Sequence, residues 1–350
     1  MLTRIVAALA LAGTAAAADW DAKAAAAYLD GRQQEWFAWP AANAQGAPCL
    51  SCHTGLPYLL GRQALRRALN ESEPTKYESG LLNALRSRVT KRNAKEGDER
   101  AAQAIGVESV MAALLLANAS AGAARLPAEA GQAFERLWSL QLKEGPSKGA
   151  WDWFSLHLDP WEASDSIFFG ASLSAVAAGS TPAEYQRRAE VRKGVEALMT
   201  YLRGARSGQP LHNRIALLWA SSKLPAVMTK QERKALMAEI ARKQQADGGW
   251  TIASLGPFKV HPEAPEAGPG SNGYATAYTA FVLRQAGVGV REPVLKRALA
   301  WLRAHQDARS GAWAAMSMNK SYPAGSNQIR FMQDAATGYA AAALADDGGR

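Results

Sequence analysis

Hydrophobic and polar positions along the chain predict two alternating kinds of helix. Amphipathic segments bury one face, as in residues 294–306, whose apolar stripe consists of Val294, Leu295, Ala298, Leu299 and Leu302. Other segments are apolar or small on nearly every side, which is typical of helices buried all round. The two kinds pair in chain order as 78–90 with 107–117, 131–142 with 165–178, 186–203 with 213–222, 231–245 with 274–286, and 294–306 with 334–345. Because the sequence has no sustained two-residue alternation, we expect an all-α fold.

Three of the amphipathic segments end in the same way. Each is followed by a glutamine, a glycine turn and a tryptophan: Gln141 to Trp151, Gln245 to Trp250 and Gln306 to Trp313. Glycine permits a turn where a side chain would clash, and a glutamine amide can bridge the free backbone groups at a helix end. The three copies predict a repeat architecture.

With these glutamine-tryptophan repeats, the chain resembles the squalene-hopene cyclase superfamily, which also contains the protein prenyltransferases. The resemblance covers about residues 75–346 and implies a single α/α toroid of about five outer and inner helix pairs. In that family the inner helices enclose a cavity, so an apolar ligand is the implied partner. This sequence lacks the Asp-x-Asp-Asp acid of the cyclases, and both of its cysteines belong to another motif.

That motif is Cys49-Leu50-Ser51-Cys52-His53. Cys-x-x-Cys-His is the haem-attachment sequence of c-type cytochromes, which the chain resembles at these residues. The resemblance implies one covalent haem c, held through Cys49 and Cys52, with His53 as the proximal iron ligand. A small disulfide of the thioredoxin type is an alternative that leaves His53 unexplained, and a zinc site would need further ligands.

The first 18 residues predict a secretory signal, because Arg4 precedes the apolar run 5–11 and alanines at 16–18 form a cleavage site. The signal implies a periplasmic or secreted bacterial protein. No later apolar run approaches the roughly 20 residues of a membrane span, so we expect no integral membrane segment after signal cleavage. The chain then divides into the signal 1–18, an N-terminal helical segment with the haem motif at 19–74, the toroid at 75–346 and a tail at 347–350.

The charge of the chain bears on its partners. The formal net charge is +9, and loss of Arg4 with the signal leaves +8. Basic clusters are not interleaved with aromatic residues for base stacking, so we expect no nucleic-acid partner. A basic surface fits an acidic periplasmic redox partner, although a simple solvated face is the alternative.

Long loops indicate where a site could lie. They span 143–164, 251–273 and 314–333, and each joins an outer helix to the next inner helix, so the alternation places them on one face.

These loops and the helix starts beside them supply weak catalytic candidates, namely His157, Glu162, Asp165 and Asp334. Asp165 and Asp334 open helices and can instead act as caps. A distal haem ligand is expected from His157, Met316 or Met318, with water or an open position as the alternative.

Two functions follow from these observations. The first is a periplasmic mono-haem protein whose toroid shields the haem, with electron transfer or haem-based redox chemistry as its role. The second is a terpenoid- or polysaccharide-directed enzyme or binding module in which haem is only structural. The sequence leaves open whether the protein is an enzyme.

Overall fold

The computed structural model describes residues 19–43, 47–89, 97–259 and 261–345. The predicted signal at 1–18 and the tail at 347–350 lie outside these residues. Within the described ranges the chain is all-helical, and its only β-type contacts are two isolated bridges, Leu158 with Glu162 and Gln306 with Trp313. The all-α prediction is therefore confirmed.

The α-helices of the described residues are α1 Ala22–Ala38, α2 Gly55–Ala68, α3 Lys76–Val89, α4 Glu99–Ala119, α5 Ala128–Leu140, α6 Ser166–Gly179, α7 Ala183–Gln186, α8 Ala189–Ala205, α9 Leu211–Lys223, α10 Lys230–Arg242, α11 Gly273–Gln285, α12 Pro293–Ala304 and α13 Phe331–Ala345. A helix lies at each of the ten segments of the predicted series, namely α3, α4, α5, α6, α8, α9, α10, α11, α12 and α13.

Burial follows the predicted alternation. Helices α4, α6, α9, α11 and α13 are buried along most of their length, whereas α12 buries only the face formed by Leu295, Ala298, Leu299, Trp301 and Leu302. Helix α2 is also buried on most sides. It belongs with the buried group even though its sequence contains several arginines.

The buried helices contact one another in a fixed order. Helix α4 packs against α6, α6 against α9, α9 against α11, and α11 against α13. Helix α13 also packs extensively against α2, which in turn contacts α4. The amphipathic helices lie on this set: α3 and α5 on α4, α8 on α6, α10 on α9, α12 on α11, and α1 on α2 and α13.

Each glutamine-tryptophan repeat joins the amphipathic helix before it to another amphipathic helix. The Gln141 side-chain amide donates to the carbonyls of Gly149 and of Gly194 in α8, at 3.0 and 2.8 Å, and the Trp151 indole donates to the Leu137 carbonyl at 2.6 Å. Equivalent indole bonds run from Trp250 to Ile240 and from Trp313 to Leu302.

The glutamine of the second repeat differs from the prediction. Gln244, rather than Gln245, donates to the Gly248 carbonyl and to the Val294 carbonyl at the start of α12, at 2.8 Å each. Gln245 instead bonds the nearby Lys243 carbonyl. The sequence has two adjacent glutamines here, so the pattern alone did not show which one belongs to the repeat. Only Gln244 bonds both the repeat turn and α12.

The third repeat connects the end of the helix series to its beginning. The Gln306 side chain accepts from the Asp21 backbone N–H at 2.6 Å and donates to the Asp21 carbonyl at 2.9 Å. Asp21 is the N-cap of α1. The third repeat glutamine therefore bonds α1, whereas the first repeat glutamine bonds α8 and the second bonds α12.

Glycine is required at the repeat turns for two reasons. Gly149 and Gly311 have φ angles of +94° and +76°, a region that other residues rarely adopt. A Cβ atom at these positions would also overlap the backbone of α8 at Ala197 and of α1 at Ala24, respectively.

Helix α4 passes a length and composition test for a membrane span. Its most apolar 18-residue window is 67% buried in the protein, where it packs against α3, α5 and α6. Buried core helices of globular domains pass the same test, so this helix is weak evidence for a membrane segment.

Close packing of α2 on α13 generates the first prediction. Cβ atoms at Gly61 or Gly338 would overlap backbone atoms of the opposite helix, whereas one at Gly31 of α1 would meet open space. We expect Gly61→Ala to lower the free energy of unfolding by about 1–3 kcal/mol and the control Gly31→Ala to raise it by about 0.5–1 kcal/mol. Urea denaturation measures both, and equal effects would contradict the packing described.

Candidate functional site

The Cys-x-x-Cys-His motif forms the turn that starts α2. The Ser51 hydroxyl accepts from the backbone N–H groups of Thr54 and Gly55, at 3.0 Å each. The Trp36 indole of α1 donates to the Cys49 carbonyl at 2.8 Å. These bonds tie the motif to both α1 and α2, so its side chains occupy fixed positions.

All three chemical groups of the motif face one cavity. This cavity has a volume of about 500 Å³, within the range of small-molecule and cofactor sites. Cys49, Cys52 and His53 line it together with groups from α3, α4 and the loop after α5, including Arg88, Arg100, Glu108, Phe154 and Glu162. The predicted haem-attachment residues thus share a space large enough for a ligand.

The two cysteines form no disulfide; Cys52 is buried and Cys49 is partly buried. Burial raises the pKa of Cys49 to about 11 and the pKa of Cys52 well above its ordinary value. Both thiols are therefore protonated at neutral pH in the folded chain. A redox-active thiol of the thioredoxin type needs a lowered pKa.

The imidazole of His53 is enclosed by aromatic rings. It stacks on Phe331 with ring centroids 3.7 Å apart, and Trp36 and Trp161 lie at 5.5 and 6.0 Å. Burial, assisted by the charge of Arg32, lowers the pKa of His53 to about 3. The ring is therefore neutral at physiological pH, which is the state that ligates iron.

A hydrogen-bond chain fixes the tautomer of this ring. Thr54 Oγ1 lies 2.9 Å from His53 Nδ1 and donates to Asp334 Oδ2 at 2.8 Å. A hydroxyl has one proton to give. Since Thr54 gives it to the carboxylate, the hydroxyl must accept from Nδ1–H, which leaves the lone pair on Nε2.

Asp334 is held from several sides at the far end of this chain. Arg32 donates to its two oxygens from Nε at 2.7 Å and from Nη2 at 3.0 Å, and the Tyr28 hydroxyl donates at 2.8 Å. Burial raises the pKa of Asp334, and the hydrogen bonds from Arg32, Tyr28 and Thr54 oppose this shift. The bidentate guanidinium fits the ionised carboxylate.

The weak catalytic candidates do not form one cluster. Asp334 lies behind His53, and Glu162 lines the cavity, where burial raises its pKa and the charge of Arg100 lowers it. Asp165 occupies the N-cap position of α6 without a side-chain capping bond, and His157 is exposed on its loop. The cap interpretation of Asp334 is wrong, because its carboxylate binds Arg32 instead of backbone N–H groups of α13.

The three predicted distal ligands lie away from the cavity lining. His157 and Met316 are exposed, and Met318 packs against the hydrophobic core. The assignment of a distal ligand stays a prediction.

Three long loops meet at Asp159, as the alternation predicted. The Asp159 carbonyl accepts from the Asn319 side chain at 2.8 Å, and the Lys259 backbone N–H bonds its carboxylate. Burial, with the charge of Asp165, raises the pKa of this carboxylate to about 6.

A buried polar contact lies next to the motif. The Trp161 indole donates to the Tyr274 hydroxyl at 3.1 Å, and this hydroxyl lies 2.8 Å from His212 Nε2. Burial lowers the pKa of His212 to about 4. Its neutral imidazole therefore satisfies a buried hydroxyl.

Sequence reasoning missed several residues of the site. Arg88 bonds Glu108 and the Ala47 carbonyl beside the cavity, and the Arg100 guanidinium lies 4.7 Å above the Phe154 ring. Thr54 follows the motif directly, so its position was a usable signal. No sequence signal indicated the pairing of Arg32 with Asp334, because 302 residues separate the partners.

Comparisons with known proteins do not assign a family. No protein-family model matches the chain, and no curated protein sequence matches it significantly. Within the described part of the chain, no three histidine, cysteine or acidic side chains are grouped so that they could hold a metal ion.

The buried ion pair behind His53 gives the second prediction. Asp334→Ala leaves the Arg32 charge buried without its main partner, and we expect the free energy of unfolding to fall by about 3–5 kcal/mol. The control Glu129→Ala removes an exposed partner of Arg86 and should cost less than about 1 kcal/mol. Urea denaturation of the haem-free chains distinguishes the two, and a small loss for Asp334→Ala would contradict an anchoring role.

The lowered pKa values of the two buried histidines give the third prediction. Since the folded pKa is about 3 for His53 and about 4 for His212, both rings should stay neutral in the haem-free protein between pH 8 and pH 5. Nitrogen-15 NMR of the imidazoles measures their charge. In urea both should titrate near pH 6.5, and titration at that pH in the folded protein would show that the rings are not enclosed as described.

Proposed function

We propose that the chain is a periplasmic c-type mono-haem protein that carries out electron transfer or haem-based redox chemistry. One observation carries this proposal: two thiols and a neutral imidazole with a free Nε2 lone pair line one cavity of about 500 Å³. These are the groups that a covalently attached haem requires.

The donor set, two thiols and one imidazole on one cavity, is that of haem c. Cys49 and Cys52 would hold the macrocycle through thioethers, and His53 would hold the iron through Nε2. When bound, the haem supplies a one-electron change of oxidation state at the iron. We infer that the chain binds a single haem, because both of its cysteines are used.

Other residues of the site control its surroundings. Phe331, Trp36 and Trp161 pack around the proximal imidazole. Arg88 and Arg100 line the same cavity, and their guanidinium groups suit the acidic side groups of a porphyrin. Glu108 and Glu162 also line the cavity, and their negative charges offset part of the positive charge of Arg88 and Arg100.

We propose that the frame is an α/α toroid of six helix pairs. Its inner helices are α2, α4, α6, α9, α11 and α13, and its outer helices are α1, α3, α5, α8, α10 and α12. The return of α13 to α2 and the bonds from Gln306 to Asp21 support closure of the series. In this arrangement residues 19–74 supply the sixth pair, and the haem motif is its outer-to-inner loop.

The same frame bears on the ligand and partners. Tyr274, Tyr278 and Tyr339 pack on one another between the inner helices and are buried. We therefore assign the ligand role to the motif cavity and not to the space among these rings.

The net charge bears on the partner. Without its signal the chain has a net charge of +8, which suits an acidic redox partner in the periplasm.

Covalent haem loading provides the fourth prediction. We expect the full chain, expressed with its signal in a host that attaches haem in the periplasm, to carry one covalent haem. Cys49→Ser/Cys52→Ser should carry none and remain helical. Intact mass and the pyridine haemochrome spectrum measure loading, and circular dichroism measures helix content.

A control variant outside the motif sharpens this experiment. Met316 is exposed and lies outside the cavity lining, so Met316→Leu should load as the wild type does. Wild-type protein that reaches the periplasm folded but without covalent haem would contradict the proposed function.

A further inference from the structure

We propose that Thr54 and Asp334 lower the reduction potential of the haem by acting on its proximal ligand. Thr54 is a positioning residue: its hydroxyl accepts from His53 Nδ1–H while it donates to the Asp334 carboxylate. This inference rests on the proposed function, since it concerns a haem bound through His53 Nε2.

The Thr54 hydroxyl is not needed for the helix that it precedes. Thr54 is the N-cap of α2, a position where the side chain normally accepts from backbone N–H groups. Here its side chain makes no such bond, and the Ser51 hydroxyl accepts from the N–H groups of Thr54 and Gly55 instead. The motif residue Ser51 thus replaces the cap and leaves the Thr54 hydroxyl for His53 and Asp334.

The direction of the hydrogen bonds follows from the groups around them. Asp334 accepts from Arg32, Tyr28 and Thr54, and its side chain is 1% exposed. A carboxylate bonded by a bidentate guanidinium accepts hydrogen bonds and donates none. The Thr54 proton therefore belongs to the bond with Asp334, and the imidazole proton belongs to the bond with Thr54.

Such a chain changes the electronic character of the imidazole. A hydroxyl that donates to an anion becomes a better acceptor, because hydrogen bonds in series polarise one another in a buried site. A stronger acceptor at Nδ1–H makes the ring a more basic ligand. A more basic ligand stabilises the oxidised iron relative to the reduced iron, so the potential falls.

Packing against Phe331 also orients the His53 ring. Phe331 stacks on the His53 ring and belongs to α13, the helix that also carries Asp334. The stacking partner and the charged partner of the proximal ligand thus move together with one helix. Helix α13 packs closely on α2, which begins directly after the motif.

Two substitutions at one position test the inference. Thr54→Val removes the hydroxyl and keeps the branched shape, whereas Thr54→Ser keeps the hydroxyl. All three proteins are loaded with haem in the same periplasmic host, and their midpoint potentials are measured by mediated titration. We expect Thr54→Val to raise the potential by at least 59 mV, a tenfold change in a one-electron equilibrium constant, and Thr54→Ser to stay near the wild type.

The outcomes separate this inference from the proposed function. Thr54→Val protein with one covalent haem and an unchanged potential overturns the inference and leaves the haem assignment intact. An equal rise in both variants also overturns it, because loss of shape would then be responsible. Wild-type protein without covalent haem overturns the proposed function together with the inference.

A second measurement needs no bound haem. In the haem-free protein, nitrogen-15 NMR should show the His53 proton on Nδ1 in the wild type and in Thr54→Ser. In Thr54→Val the Nδ1–H population should fall, because its acceptor is missing. A proton on Nε2 in the wild type would overturn the assigned direction of the hydrogen bonds.

Discussion

A single buried carboxylate connects the parts of this molecule on which its site depends. Asp334 of α13 accepts from Arg32 and Tyr28 of α1 and from Thr54 at the start of α2. Removing a carboxylate from water is costly unless its oxygens are fully bonded, and here each oxygen has two donors. The position of α13 relative to α1 and the Cys-x-x-Cys-His motif is therefore constrained by the need to satisfy this one group, and Thr54 connects it to His53.

The repeats apply a similar constraint around the rest of the chain. Each repeat glutamine satisfies backbone carbonyls of its own turn and of another amphipathic helix, and each indole bonds the helix that it follows. In the third repeat this other helix is α1, because the Gln306 side chain both accepts from and donates to the Asp21 backbone. The first helix is thereby joined to the last repeat. The Cys-x-x-Cys-His motif, which connects α1 to α2, consequently lies beside the start of α13, where His53 stacks on Phe331.

The sequence predicted those features that depend on local periodicity and on short motifs. Helix pairs from α3 to α13 were predictable because burial on one side or on all sides produces distinct patterns. Helix α2 was not recognised as a buried helix, because its sequence contains Arg62, which is buried beside Asp30 and Glu71. The motif cysteines and His53 were predicted, but Trp36, Phe331 and the Arg32–Asp334 pair reach the site through tertiary packing that no local pattern records. The choice of Gln244 over Gln245 likewise depends on which side chain faces the next helix.

A crystal structure of the protein purified from a haem-attaching periplasm tests the central claim most directly. The account predicts one haem bonded to Cys49 and Cys52 in the cavity beside Glu162, iron on His53 Nε2, and Nδ1 on the Thr54 hydroxyl with Asp334 behind it. A disulfide between the two cysteines with no haem in the cavity would contradict the account. A haem whose iron is not ligated by His53 would contradict the account as well.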